Sequence, residues 1–150
     1  MKPLHWFASL FVALTLLAAC ESKPDPTLLN AVVQATQDAN PDASGAASPV
    51  VLRYYELKSS AAFDKAQFFD LYEKADTVLA ADLLNKGEVA LAPGQSKPLE
   101  LTLNPMTTAV GFVVGYQQID KAQWRKSMAI VPNKPNKAVV TIGTLALSVK

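Results

Sequence analysis

Apolar positions in this chain come in short runs separated by turn residues, a pattern of strands rather than of long helices. Thr27–Ala35 is mostly apolar and suits a first strand. Gln37–Ser48 (QDANPDASGAAS) runs through small and polar residues with Pro41 and Gly45, and reads as a loop. Val50–Leu57 (VVLRYYEL) is rich in β-branched and aromatic residues. Both of its faces carry apolar groups, which predicts a central strand covered on both sides. A helix signal follows. Asp64 is placed to cap it, Gln67 three residues on completes a capping box, and Phe63 and Phe68 have the spacing of a hydrophobic staple. Phe68, Phe69 and Tyr72 then share one side. Leu79, Leu83 and Leu84 predict a second, shorter turn or helix ending near Lys86-Gly87.

The C-terminal half returns to alternation. Glu88–Leu91 is a short strand stopped by Pro93-Gly94. Leu99, Leu101 and Leu103 point one way while Glu100 and Thr102 point the other, as in a half-buried strand. Val110, Phe112, Val114 and Tyr116 repeat this, with Gly111 and Gly115 opposite. Lys121–Trp124 predicts a helical turn and Lys126–Val131 a strand. Val140 and Ile142 alternate, and Leu145, Leu147 and Val149 resume out of phase, so a β-bulge or bend is expected at Gly143. Short strands at this spacing with one helical insertion predict a mainly β protein, a two-sheet β-sandwich.

The N-terminus has a different character. Lys2 precedes the apolar run Trp6–Leu17, which is too short for the roughly 20 residues of a membrane span. It ends at Leu17-Ala18-Ala19-Cys20, a small-residue cleavage site with cysteine directly after it. This resembles a bacterial lipobox, in which the cysteine is lipidated and becomes the acylated N-terminus. Residues 1–19 are then a signal peptide, residues 20–26 a lipidated start and proline-bearing tether, and residues 27–150 one domain. By the same resemblance Glu21, where Asp commonly retains a lipoprotein at the inner membrane, favours the outer membrane.

Loss of the leader changes the available chemistry. It removes Lys2 and His5, so the 13 Asp and Glu are balanced by Lys and Arg and no histidine is left. No Ser-His-Asp or Cys-His pair can be assembled, and no metal site built on His or Cys. A chain without basic excess also lacks the charge of a nucleic-acid surface. Asp38-x-Asn40-x-Asp42 has the spacing of the first calcium-loop ligands, but Ala43 stands where that loop needs Gly and Pro49 where it needs Glu. Asp64, Asp70, Glu73, Asp76 and Asp82 crowd the helical insertion beside Lys65 and Lys74, as solvated or paired acids. Phe63, Phe68, Phe69 and Tyr72 form either a core stripe or the lining of a ligand groove.

Asn40-Pro41-Asp42-x-Ser44-Gly45-x-x-Ser48-Pro49-Val50-Val51-Leu52-Arg53-x-Tyr55-x-Leu57-Lys58 resembles the opening of the outer-membrane lipoprotein of the bacterial type VI secretion system, the TssJ or SciN family. Phe63-x-x-Ala66-x-Phe68-Phe69-x-Leu71-Tyr72, Leu91-x-Pro93-Gly94, Val113-x-Gly115-Tyr116 and Trp124-Arg125 continue it in order. Gln117 departs from it, standing where the family has Arg. The resemblance implies a transthyretin-like sandwich with an extra helical element and no cofactor beyond the lipid on Cys20. It also implies a partner, the periplasmic C-terminal domain of the inner-membrane protein TssM, docked by the loop between the first two strands. Carried over, that loop is Asn40, Pro41, Asp42, Ala43, Ser44, Gly45, Ala46, Ala47 and Ser48. Pro41 and Gly45 are expected to hold its geometry without a metal, with Asp42 and Ser44 capping the turn. The alternative is a periplasmic carbohydrate- or peptide-binding lipoprotein with the aromatic cluster as its groove.

Overall fold

The apolar runs fold as eight strands in two four-stranded sheets, in a computed structural model that describes residues 23–150. The leader and Cys20 lie outside the described residues. One sheet contains β1 (Leu28–Ala35), β4 (Ser96–Thr102), β7 (Pro135–Ile142) and β8 (Leu147–Val149), in the order β4-β1-β7-β8. The other contains β2 (Val50–Leu57), β3 (Leu83–Leu91), β5 (Ala109–Val114) and β6 (Arg125–Ala129), in the order β3-β2-β5-β6. All pairings are antiparallel except β1 with β7, where Leu28 lies against Pro135 and Ala35 against Ile142.

Inward residues of both sheets, among them Leu29, Val33, Leu52, Phe112, Val140 and Ile142, form the sandwich core. A second cluster lies on the outer face of the β2-containing sheet, beneath helices α1 (Ala61–Lys65) and α2 (Phe68–Leu79). It contains Tyr55, Leu57, Phe63, Leu71, Ala75, Leu79, Ala109 and Val113. Each large side chain buried there contributes about 1.5–3 kcal/mol, so the insertion is part of the stable body. The two layers explain why β5 is buried at every position and why β2 carries apolar groups on both faces.

The helical insertion differs from the sequence expectation. Asp64 lies inside α1, whose N-cap is Ser60, and its carboxylate accepts a hydrogen bond from the Ser127 hydroxyl at 3.0 Å. The chain breaks at Ala66, and Gln67 is itself the N-cap of α2. Arg125 of β6 holds the break by donating to the carbonyls of Phe63 and Ala66 at 2.8 and 2.6 Å. Phe63 is fully buried, seated over Gly111, where an added Cβ would come within 2.5 Å of its ring. Leu83 and Leu84 open β3 rather than a helix, so this strand begins five residues before Glu88. Gly87 lies mid-strand because the Tyr54 ring covers it, leaving only 2.3 Å between its would-be Cβ and the Tyr54 hydroxyl. After Gly143 the chain bends and reverses, with the Gly143 N–H on the Ala146 carbonyl at 2.9 Å, and β8 returns along β7. The ladder irregularity lies elsewhere, between Glu56 and Leu57.

This topology sorts the connections by end. The β1–β2, β3–β4, β5–β6 and β7–β8 connections share one end of the sandwich. Thr27, the β2–α1 segment and the β4–β5 and β6–β7 connections share the other. The strand β1 therefore separates the residue 23–26 segment from the Asn40–Ser48 loop by its own length, roughly 26 Å at 3.3 Å per residue.

Candidate docking surface

The Asn40–Ser48 loop leaves the end of β1 and is built on groups from three neighbouring connections. Thr36 donates its N–H to Ile142 and accepts the Gly94 N–H, at 2.9 and 3.1 Å. Asn40 then turns the chain with φ +51°, a left-handed conformation that Asn tolerates better than most residues. It is only 2 % exposed. Its side-chain amide donates to the Pro49 carbonyl at 2.8 Å, and its side-chain oxygen accepts the Gln117 N–H at 2.7 Å. Its own N–H donates to the Thr144 carbonyl at 3.2 Å. The Gln118 side chain adds donors to the carbonyls of Pro41 and Asp42, at 3.1 and 3.2 Å.

Inside this frame Asp42 organises the tip. One carboxylate oxygen accepts the Ser44 N–H and hydroxyl and the Ala46 N–H, at 2.8, 2.7 and 3.0 Å. The backbone closes on itself through Asp42 N–H to Ala46 and Gly45 N–H to Asp42, with Gly45 at φ +86°. The Ser44 hydroxyl and then the Ala46 N–H hold the Asp42 carboxyl below its ordinary pKa. Asp38 is lowered likewise by the hydroxyls of Thr144 and Thr36. Both carboxylate oxygens of Asp38, the side-chain oxygen of Asn40 and one carboxylate oxygen of Asp42 are thus taken up by separate protein donors, and the described residues contain no group of three His, Cys, Asp or Glu arranged around a metal. Ala43–Ala47 are exposed, a tip of small residues over a rigid base.

The base is where sequence reasoning was incomplete. Gly45 turns the tip at φ +86°, but the strongest constraints come from Asn40, Asp42, Gln117 and Gln118. Asn40 is buried and anchors the loop. Its polar type at the start of a loop is the one local signal for this role; the two glutamines carry none.

The aromatic cluster forms no open platform. Phe68 packs against Phe69, Tyr72 and Trp124, with ring centroids 5.1, 4.9 and 5.3 Å away. The Arg53 guanidinium lies 3.8 Å from the Tyr72 ring centroid, covering Tyr72 further, and Phe63 is buried. Phe69 alone of the group is largely exposed, at 59 %.

A two-sheet sandwich that holds a small-residue loop stiffly at one end is built to present a surface. The family described as Type VI secretion lipoprotein (VasD, EvfM, TssJ) matches residues 27–145, and the chain belongs to it. Among solved structures, the type VI lipoprotein TssJ1 from Pseudomonas aeruginosa is 34% identical, with a TM-score of 0.81 over 83% of this chain and 95% of that one. Serratia marcescens Lip, a membrane-bound component of the type VI secretion system, is 27% identical, with a TM-score of 0.77 over 83% and 96%. A chain in the structure described as the TssM C-terminal domain from EAEC shares the fold at 22% identity, with a TM-score of 0.70 over 83% and 98%. No curated protein sequence matches the chain.

Proposed function

We propose that this structural lipoprotein of the type VI secretion machinery docks the periplasmic C-terminal domain of TssM through the Asn40–Ser48 loop, while a lipid on Cys20 anchors it to the outer membrane. The observation that carries the reading is the loop's construction. A buried Asn40 and a self-closed Asp42 turn fix the exposed Ala43–Ala47 tip before any partner arrives, so little ordering entropy is lost on binding. Small side chains let a partner approach the backbone closely. Glu21 after Cys20 supports outer-membrane sorting. A multiply acylated cysteine supplies a durable anchor, at about 0.8 kcal/mol per buried methylene.

The test uses the full chain in detergent, titrated against the TssM periplasmic domain. Ala46→Arg, at an exposed tip position, is expected to keep the native melting curve and weaken binding by about a hundredfold or more, the loss expected when a central contact is blocked. Near-normal affinity would overturn the docking assignment. Cys20→Ala is expected to move the protein from outer-membrane fractions to the soluble periplasm, and continued flotation with outer membranes would refute the anchor.

A further inference from the structure

Each sheet edge meets solvent differently. Edge strands invite pairing by other chains, and proteins blunt them with proline, short length or cover. In this molecule β4 carries Pro98, β8 is only Leu147–Val149, and the end of the β5–β6 connection is tied to β8 by the Gln123–Ala146 bridge. The edge strand β3 is not short, and side chains cover only its Lys86 N–H and its Ala90 carbonyl. It runs over nine residues without a proline.

Two contacts show which of its backbone groups face outward. The Lys86 N–H donates to the Asn85 side-chain oxygen at 2.9 Å, and the Ala90 carbonyl accepts from the Lys97 ammonium at 2.7 Å. Neither group is turned toward β2, so by strand alternation the N–H and carbonyl of Glu88, midway between them, also point away from the sheet. Beside this edge lies a cleft of about 480 Å³ between α2 and the β2–β3 face. Its α2 wall is fixed at a kink at Lys74, where the Tyr55 hydroxyl and the Arg53 guanidinium donate to the Leu71 and Tyr72 carbonyls. Within the cleft Arg53 lies 3.4 Å from the Glu88 carboxylate and Lys86 pairs with Asp76. The cleft carboxylate of Glu73 has no ion-pair partner among the described residues, leaving one uncompensated negative charge.

We infer that β3 is a strand-addition site for an extended polypeptide segment that sets a lysine or arginine side chain into this cleft. Glu88 supplies the central pair of backbone hydrogen bonds, and alternate side chains of the added strand fall on the cleft side, where the excess charge selects a cation. The site lies on the flank of the sandwich, away from the Asn40–Ser48 loop, and stands or falls independently of that docking assignment.

The probe is a blocked ten-residue peptide of alternating threonine and lysine, titrated at low salt into the ¹⁵N-labelled full chain in detergent micelles. Its counterpart alternates threonine and glutamate. The expected result is a shift of the Glu88 amide with slowed exchange, weakened by salt and absent with the glutamate peptide. Glu73→Lys should weaken binding by about tenfold or more, as a like charge facing the ligand does. Glu88→Pro, which removes the outward N–H together with the carboxylate beside Arg53, should abolish binding while the melting curve stays native, and Glu88→Gln, which keeps the N–H, should retain part of it; if the proline variant unfolds, Glu73→Lys and the amide map decide. Absence of β3 shifts at millimolar lysine peptide would overturn the inference. So would equal binding of the two peptides, or shifts confined to Asn40–Ser48.

Discussion

Replacing Asn40 separates the backbone and hydrogen-bond contributions that hold the loop. In Asn40→Ala the Gln117 N–H and the Pro49 carbonyl both lose their partner. Each bond contributes about 1 kcal/mol, and stranding its partner brings the loss to about 1–2 kcal/mol apiece. Alanine at φ +51° adds about 1 kcal/mol of backbone strain. The expected loss is therefore about 3–5 kcal/mol for Asn40→Ala. For Asn40→Gly, which accepts the positive φ, it is about 2–4 kcal/mol. At about 4 °C per kcal/mol for a domain of this size, Asn40→Ala should melt about 12–20 °C lower, and Asn40→Gly about 4 °C above it. Denaturant titration with an unchanged m-value checks that the folded state alone is affected. A loss below about 0.5 kcal/mol in both variants would refute the anchoring role. Asn40→Gly less stable than Asn40→Ala would refute the strain argument.

Phe63→Ala should cost about 3–5 kcal/mol, as for a fully buried aromatic, and an unchanged denaturation midpoint would remove Phe63 from the core. Gly111→Ala forces a Cβ against the Phe63 ring and should cost about 1–3 kcal/mol, read by the same titration. The lowered carboxyls of Asp38 and Asp42 stabilise the loop above their unfolded pKa near 3.8, and that contribution is lost as pH falls through their lower folded values. Amide exchange at Ser44 and Ala46, corrected for the intrinsic rate, should therefore show less protection in strong acid than at pH 6; pH-independent protection would contradict the Asp42 turn. Burial raises the pKa of Tyr116, whose hydroxyl finds no partner among the described residues. Tyr116→Phe should leave stability unchanged or raise it by up to about 1 kcal/mol, and a marked drop in melting temperature would reveal a hidden partner.

The strands whose cause is local alternation were legible in the sequence: β1, β2, β4 and β5 lie where their patterns place them. What escaped was set by distant groups. Leu79, Leu83 and Leu84 have helical spacing, and Lys86-Gly87 looks like a helix end, yet Gly87 is a strand residue that makes room for Tyr54. Asp64 and Gln67 have capping-box spacing, but Arg125, far along the chain, takes the carbonyls at the break and divides the helix. The loop itself was visible from its small residues. Its hold on Gln117 and Gln118, 77 residues beyond Asn40 and Pro41, was not, because hydrogen bonds between a side chain and a distant backbone across the end of a sandwich leave no mark in local composition.

The position of β1 has a mechanical consequence. The segment before Thr27 enters at one end of this strand, and the Asn40–Ser48 loop leaves from the other. A pull between the two acts along the strand axis. On one side β1 is bonded antiparallel to β4, on the other parallel to β7, over nearly its whole length. Tension directed this way loads both ladders in shear, so many hydrogen bonds must rupture together before the strand slides. Peeling a short edge such as β8 from β7 would instead break bonds one after another. Under sustained force survival is governed by the unfolding rate rather than by equilibrium stability. The fold thus places a strand held on both sides along the line between the segment before Thr27 and the loop.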